Sequence, residues 1–140
     1  MAGIIKTDTI SENTSAAGVT IDSVLLKDGT SNSKLPLAAV LTGGTDPIVI
    51  ATSLVVIARA GAVNATTLAA PTAAQNGTRL TITTGTAYAH TITATSLIHD
   101  GVTGGAKTTA TFAAFLGASL ELVAYNELWH VVNKNLCTIS

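Results

Sequence analysis

The chain is short of ionised side chains, short of aromatic rings and nearly without cysteine, and each shortage narrows what it can do. Charged residues make up 11% of the sequence, where a typical soluble domain carries about 25%. Seven basic and eight acidic side chains are too few to coat a free monomer in the usual way. The surface must instead be covered by Thr, Ser and Asn, by contact with other chains, or by both. Lys6, Lys27, Lys34, Arg59, Arg79, Lys107 and Lys134 are scattered along the sequence. Counterion release from a polyphosphate needs such residues clustered, so no nucleic-acid partner is expected.

Cys137 stands alone, which leaves no intrachain disulfide and no cysteine-built metal site. The longest apolar run, from Pro47 to Ala58, is interrupted by Thr52 and Ser53 and falls short of the ~20 residues a membrane helix requires. The opening Met1-Ala-Gly-Ile-Ile-Lys6 lacks the basic region, long apolar stretch and cleavage site of a signal peptide. An outer-membrane barrel would need girdles of aromatic residues. Here the aromatics are Tyr88, Phe112, Phe115, Tyr125 and Trp129. No membrane partner is expected, and synthesis in a cytosol is.

What the chain does have is small and β-branched. Apolar residues reach 47%, and Ala and Thr together supply about a third of the 140 residues. That length is one ordinary domain with room for a terminal arm. No stretch shows a capped 3.6-residue apolar period, whereas period-two alternation recurs throughout. Val19 to Leu26 alternates as a single strand ending at the turn pair Asp28-Gly29. Residues 30 to 37 look like a polar linker, with Pro36 opposing a central strand. Ile48 to Arg59 should cross the core. Thr66 to Ala70, Arg79 to Thr83, Ala89 to Ala94 and Thr108 to Phe112 follow as short strands, with Asn76-Gly77 and Gly85-Thr86 as turns. Ser119 to Tyr125 and Trp129 to Val132 flank Asn126-Glu127 as a hairpin.

Short strands at this spacing predict an all-β fold: an antiparallel sandwich, barrel or jelly roll over residues 41–140, preceded by an extended N-terminal arm over residues 1–40. Leu80, Ile82, Ile92, Phe112, Phe115, Leu120, Leu122, Trp129 and Val131 are expected to pack in the core or between subunits. The Thr-lined faces, polar but uncharged, suit contact with a neighbouring chain.

Candidate chemistry is thin. His90, His99 and His130 show no metal-ligand spacing and read as ordinary strand or interface residues. Asp100 follows His99 directly, and adjacent strand residues face opposite ways, so the pair reads as a turn. Thr42-Gly-Gly-Thr45 and Thr103-Gly-Gly-Ala106 lack the Gly-Lys-Ser/Thr and following helix of a phosphate-binding loop; both read as flexible connections. Cys137 has no base placed near it and reads as an inert thiol. Eight acids, several of them in turns, and few rings make a sugar-cleaving carboxylate pair a weak prospect. No catalytic residue, metal site or cofactor is therefore assigned.

Two stretches carry a resemblance. Asp8-Thr-Ile-Ser-Glu-Asn-Thr-Ser-Ala-Ala-Gly-Val-Thr-Ile-Asp22, continued by Val24-Leu-Leu-Lys-Asp-Gly29, is similar to a module that recurs in fibres and other virion proteins of tailed bacteriophages. The family form usually has Gly where this chain has Ser23. Leu68-Ala-Ala-Pro-Thr-Ala-Ala-Gln-Asn-Gly-Thr-Arg-Leu-Thr-Ile82, together with Ala124-Tyr-Asn-Glu-Leu-Trp-His-Val-Val132, resembles a β domain of small capsid decoration (cement) and head-fibre proteins. The resemblance implies a homotrimer, made in the host bacterial cytoplasm, that binds the major capsid protein on the outer capsid surface and stabilises the head. The arm, with Ile4, Ile5, Ile10, Val19 and Ile21, would be the anchor, adding a strand to a neighbour's sheet edge. The alternative is a short tail or head fibre that binds a host receptor; a small virion hydrolase is the weakest of the three.

Overall fold

A computed structural model describes residues 19–21, 24–27, 30–31, 37–51, 53–102 and 104–140. The chain divides into two compact units, Met1–Lys34 and Leu35–Ser140.

In the first unit, β1 (Val19–Ile21), β2 (Val24–Lys27) and β3 (Thr30–Ser31) form a three-stranded antiparallel sheet. Ile21 pairs with Val24, which makes two strands of the one expected over Val19–Leu26. The sequence between them is Asp-Ser, both turn-favouring types, and that local preference outweighs the continuous alternation. Lys27 pairs with Thr30 across the Asp28-Gly29 step. Thr30 and Ser31 therefore belong to a strand and not to the expected linker.

The second unit is all β apart from one 3-10 turn over Ala73–Gln75. Its strands are β4 (Leu37–Leu41), β5 (Ser53–Ile57), β6 (Ala65–Thr67), β7 (Arg79–Thr84), β8 (Thr91–His99), β9 (Lys107–Phe112), β10 (Ser119–Tyr125), β11 (Leu128–Asn135) and β12 (Cys137–Ile139). They form one nine-stranded sheet, ordered β12-β9-β8-β11-β10-β7-β5-β4, with β6 also paired to β8. The all-β expectation holds. The expectation of purely antiparallel pairing does not, because β4–β5, β5–β7, β6–β8 and β8–β11 are parallel. Alternation of Leu or Ile with Thr reports one covered face and is silent on strand direction. Here β5 reaches β7 by way of β6, so a strand on another part of the sheet replaces the usual crossover helix.

β8 is where the sheet turns. Thr91–Thr93 pair with β6 and β9, whereas Ile98 and His99 pair with β11. The register against β9 slips between Thr93 and Ile98. Ser96 takes a positive φ of 53° inside the irregular stretch, and its N–H donates to Thr108 Oγ1 at 3.1 Å. A bulge of this kind bends a strand and increases its twist. The result is sandwich-like. Leu80, Ile82, Leu120, Leu122 and Trp129 on one side of the bend share a single core with Ile92, Ala110, Phe112 and Ile139 on the other. Trp129 is fully buried, and its indole N–H donates to the carbonyl of Ala69, just beyond β6, at 2.9 Å.

Turn chemistry fixes the remaining register. Asn126 and Glu127 have φ of 51° and 61°, the left-handed pair that a two-residue hairpin loop requires, and they join β10 to β11 where the sequence places a hairpin. Gly77, at φ 87°, supplies the same freedom before β7.

Candidate interaction surface

Alternation decides what the sheet presents outward. β7 buries Leu80, Ile82 and Thr84 and turns Arg79, Thr81 and Thr83 to the other face. Registers extend this face sideways in rows: Leu54–Thr81–Glu121 and Val56–Thr83–Ser119 across β5, β7 and β10. Leu37 and Val40 of β4, the last strand in the sheet order, continue those rows beside Leu54 and Val56. Both are exposed. In these rows Glu121 is the one charged side chain, and the rest are aliphatic or hydroxyl-bearing. Such a face is easily desolvated, because few of its groups hold water as an ion does.

A second apolar patch is held rigidly at one end of the sheet. Phe115 and Leu116, on the β9–β10 connection, are 60% and 69% exposed, and Leu136, between β11 and β12, is 50% exposed. The Ala113 N–H donates to the Leu136 carbonyl at 2.8 Å and so ties the two connections together. Thr84 pins the same loop: its hydroxyl donates to the Phe115 carbonyl at 2.8 Å, and its own carbonyl accepts from Gly117 N–H at 2.9 Å. Exposed rings and leucines in a loop fixed by backbone hydrogen bonds are preorganised for contact, since little further ordering is needed on binding. Exposed apolar side chains on two connections tied to each other are candidates for an interaction site.

The buried polar groups have a different task. His90 lies wholly inside, where Nδ1 accepts from the Asn64 N–H and Nε2 lies against Thr86 Oγ1, both at 2.9 Å. Thr86 Oγ1 donates to the Arg59 carbonyl at 3.0 Å, so its lone pair is what remains for His90. That assigns the neutral imidazole with its proton on Nε2. Burial, and secondarily the Arg59 charge, hold the ring below its ordinary pKa of 6.5, in agreement. Asn64 Nδ2 donates to the Gly43 carbonyl at 2.7 Å, the Ala65 N–H to the Gly44 carbonyl at 2.8 Å, and the Thr66 hydroxyl to the Asp46 carbonyl. The Gly43 and Gly44 carbonyls are thus both hydrogen-bonded, in a stretch read from sequence as a flexible connection. A Cβ on Gly43 would lie 2.4 Å from the Asp46 carboxylate, and one on Gly44 would lie 2.8 Å from the Arg59 guanidinium. This network locks loops 43–46, 59–64 and 86–90 together. With both ring nitrogens engaged, His90 has no lone pair or proton to offer a substrate.

The Cys137 thiol is pushed up to about 11 by burial, against the opposing pull of Lys134; at neutral pH it is protonated and a poor nucleophile. Among the described residues no group of three or more His, Cys, Asp and Glu is placed to hold a metal ion, and no helix is long and apolar enough to cross a membrane.

Of the residues singled out from sequence, Leu80, Ile82, Ile92, Phe112, Leu120, Leu122 and Trp129 are buried in the core, and Val131 packs half-buried against it. Phe115 stands outside the core, exposed on the β9–β10 connection. Val19 and Ile21 lie in β1; Ile4, Ile5 and Ile10 lie outside the described residues. Sequence reasoning missed Leu37, Val40, Leu116 and Leu136 as surface residues. Their exposure comes from edge and loop positions, which hydropathy alone does not reveal. Set against protein-family models and against curated proteins, the sequence matches none.

Proposed function

We propose that this chain is a structural subunit of a tailed-bacteriophage virion: a capsid decoration protein that binds the outer face of the major capsid shell as a homotrimer and stabilises the head. One observation carries the reading. A chain with 11% charged residues also leaves the pinned Phe115–Leu116–Leu136 end and the Leu37–Val40 edge open to solvent. Exposed apolar surface on so weakly charged a protein is stable in solution when other chains cover it. The two sequence stretches that resemble phage decoration and fibre proteins supply the identity of those chains, and the resemblance supplies the number three. The role needs no cofactor, nucleic acid or membrane. Attachment through three arms at once would multiply a weak individual contact by avidity.

The test is reconstitution. Purified protein is added to empty, expanded capsids lacking it, and bound protein and capsid heat resistance are measured. Saturable binding with a rise in the disruption temperature is the expected result. Binding to host cells with none to capsids would replace this role with that of a receptor-binding fibre. Deleting the residues before Gly18 should give a folded trimer that no longer attaches; normal decoration by the truncated protein would move the anchor into the β domain.

A further inference from the structure

Ile98 of β8 and Trp129 of β11 are paired and fully buried. Side chains alternate along strands, so the next pair in register, His99 and His130, leaves the opposite face of the sheet side by side. Their ring centroids lie 5.5 Å apart with planes inclined by 23°. The ring of Tyr125 in β10 lies 6.1 Å from that of His130 at 58°. The Nε2 atom of His130 is buried and has no hydrogen-bond partner. His90 shows the contrast, since both of its nitrogens are engaged. A buried ring nitrogen left unmet, whether it carries a proton or a lone pair, costs free energy that a bound ligand would recover.

We propose that His99 and His130 form a two-imidazole site for a divalent transition-metal ion of the Zn2+, Ni2+ and Cu2+ class. Neutral imidazole nitrogens suit these ions, and the order of affinity across them places Cu2+ highest. A metal about 2.0–2.1 Å from each of two ring nitrogens requires the stacked rings to incline toward each other at their tips. Rotation about side-chain bonds achieves this and leaves both strands in place. The nearest acid in sequence, Asp100, accepts the Val102 N–H through its Oδ1 at 3.2 Å in a turn. With no third His, Cys, Asp or Glu joining the pair among the described residues, water completes the coordination shell. The site is independent of the role proposed above, and nothing in the sequence announces it: the two histidines are far apart in the chain and meet only through the β8–β11 register.

The full chain is titrated with Zn2+ while the imidazole 15N resonances are followed by NMR. The expected result is concerted, saturable movement of the His99 and His130 resonances at one Zn2+ per chain, with His90 unmoved. His99→Ala and His130→Ala should each weaken binding at least ~10-fold, the lower end of what even loss of an outer partner costs a metal site. Movement of neither ring, or of one ring alone, overturns the proposal. So does equal affinity in a folded His99→Ala protein. The wild-type titration decides the matter even where a variant fails to fold.

Discussion

Replacing Trp129 is the most informative perturbation of the bent sheet. The indole is fully buried, it belongs to β11, and its N–H reaches the Ala69 carbonyl beyond β6 at 2.9 Å. It therefore joins the two parts of the sheet that meet at the β8 bend. Trp129→Ala removes the ring and leaves a cavity, which costs about 3–5 kcal/mol. Trp129→Phe keeps most of the volume but gives up the hydrogen bond, worth about 1 kcal/mol, together with some apolar burial, for a total of about 2 kcal/mol. Against a typical domain stability of about 5–15 kcal/mol, the alanine variant should be visibly weakened and the phenylalanine variant mildly so. Urea unfolding followed by far-ultraviolet circular dichroism, at one protein concentration for all three proteins, measures both. The midpoint should fall in the order wild type, Phe, Ala, with little change in slope. A loss below about 1 kcal/mol for Trp129→Ala would mean that the indole does not bridge a close-packed core, and the sandwich-like packing would have to be redrawn.

Other predictions follow from the same geometry. Phe115→Asp with Leu116→Asp should change the unfolding free energy of the isolated fold by no more than about 0.5 kcal/mol, as surface substitutions do, yet abolish self-association in sedimentation; persistence of the oligomer would place the interface elsewhere. His90→Leu should cost about 1–3 kcal/mol by orphaning the buried Asn64 N–H, measured by the same urea titration. Because His90 is held below 6.5 when folded, the unfolded chain takes up its proton first as pH falls. The stability that neutral His90 contributes is then present above about 6.5 and lost progressively below it. The difference in stability between wild type and His90→Leu should shrink over that acid range, and a constant difference would refute the neutral assignment. Glu127→Gly should raise stability by about 1 kcal/mol by relieving a left-handed non-glycine residue, read as a higher melting temperature; a fall would mean that the Glu127 side chain makes a contact worth more than the backbone relief.

Much of the fold is legible in the residues themselves, where the information is local. The Leu80/Ile82 alternation, the Asn126-Glu127 turn with its two flanking strands and the run ending at Phe112 all reappear as β7, the β10–β11 hairpin and β9. Features that depend on where strands meet are not legible. Alternation carries no direction, so the parallel pairings of β4, β5, β6, β7, β8 and β11 are invisible in it. The bend of β8 turns on Ser96, a residue with no turn signature beside it. The candidate surface divides in the same way. Low charge is what raises the expectation of a covered surface, whereas the positions of Leu37, Val40, Leu116 and Leu136 depend on the sheet's edge and on two tied loops. The His90 network and the His99–His130 pair join residues distant in sequence, and pairwise proximity of that kind follows only from the completed register.

The reading as a subunit that completes its burial against other copies rests most directly on its mass in solution. Sedimentation equilibrium of the purified full chain, over a concentration series at neutral pH, should give three times the 14.1 kDa chain mass. A single species of 14.1 kDa that stays soluble and monodisperse at every concentration would contradict it.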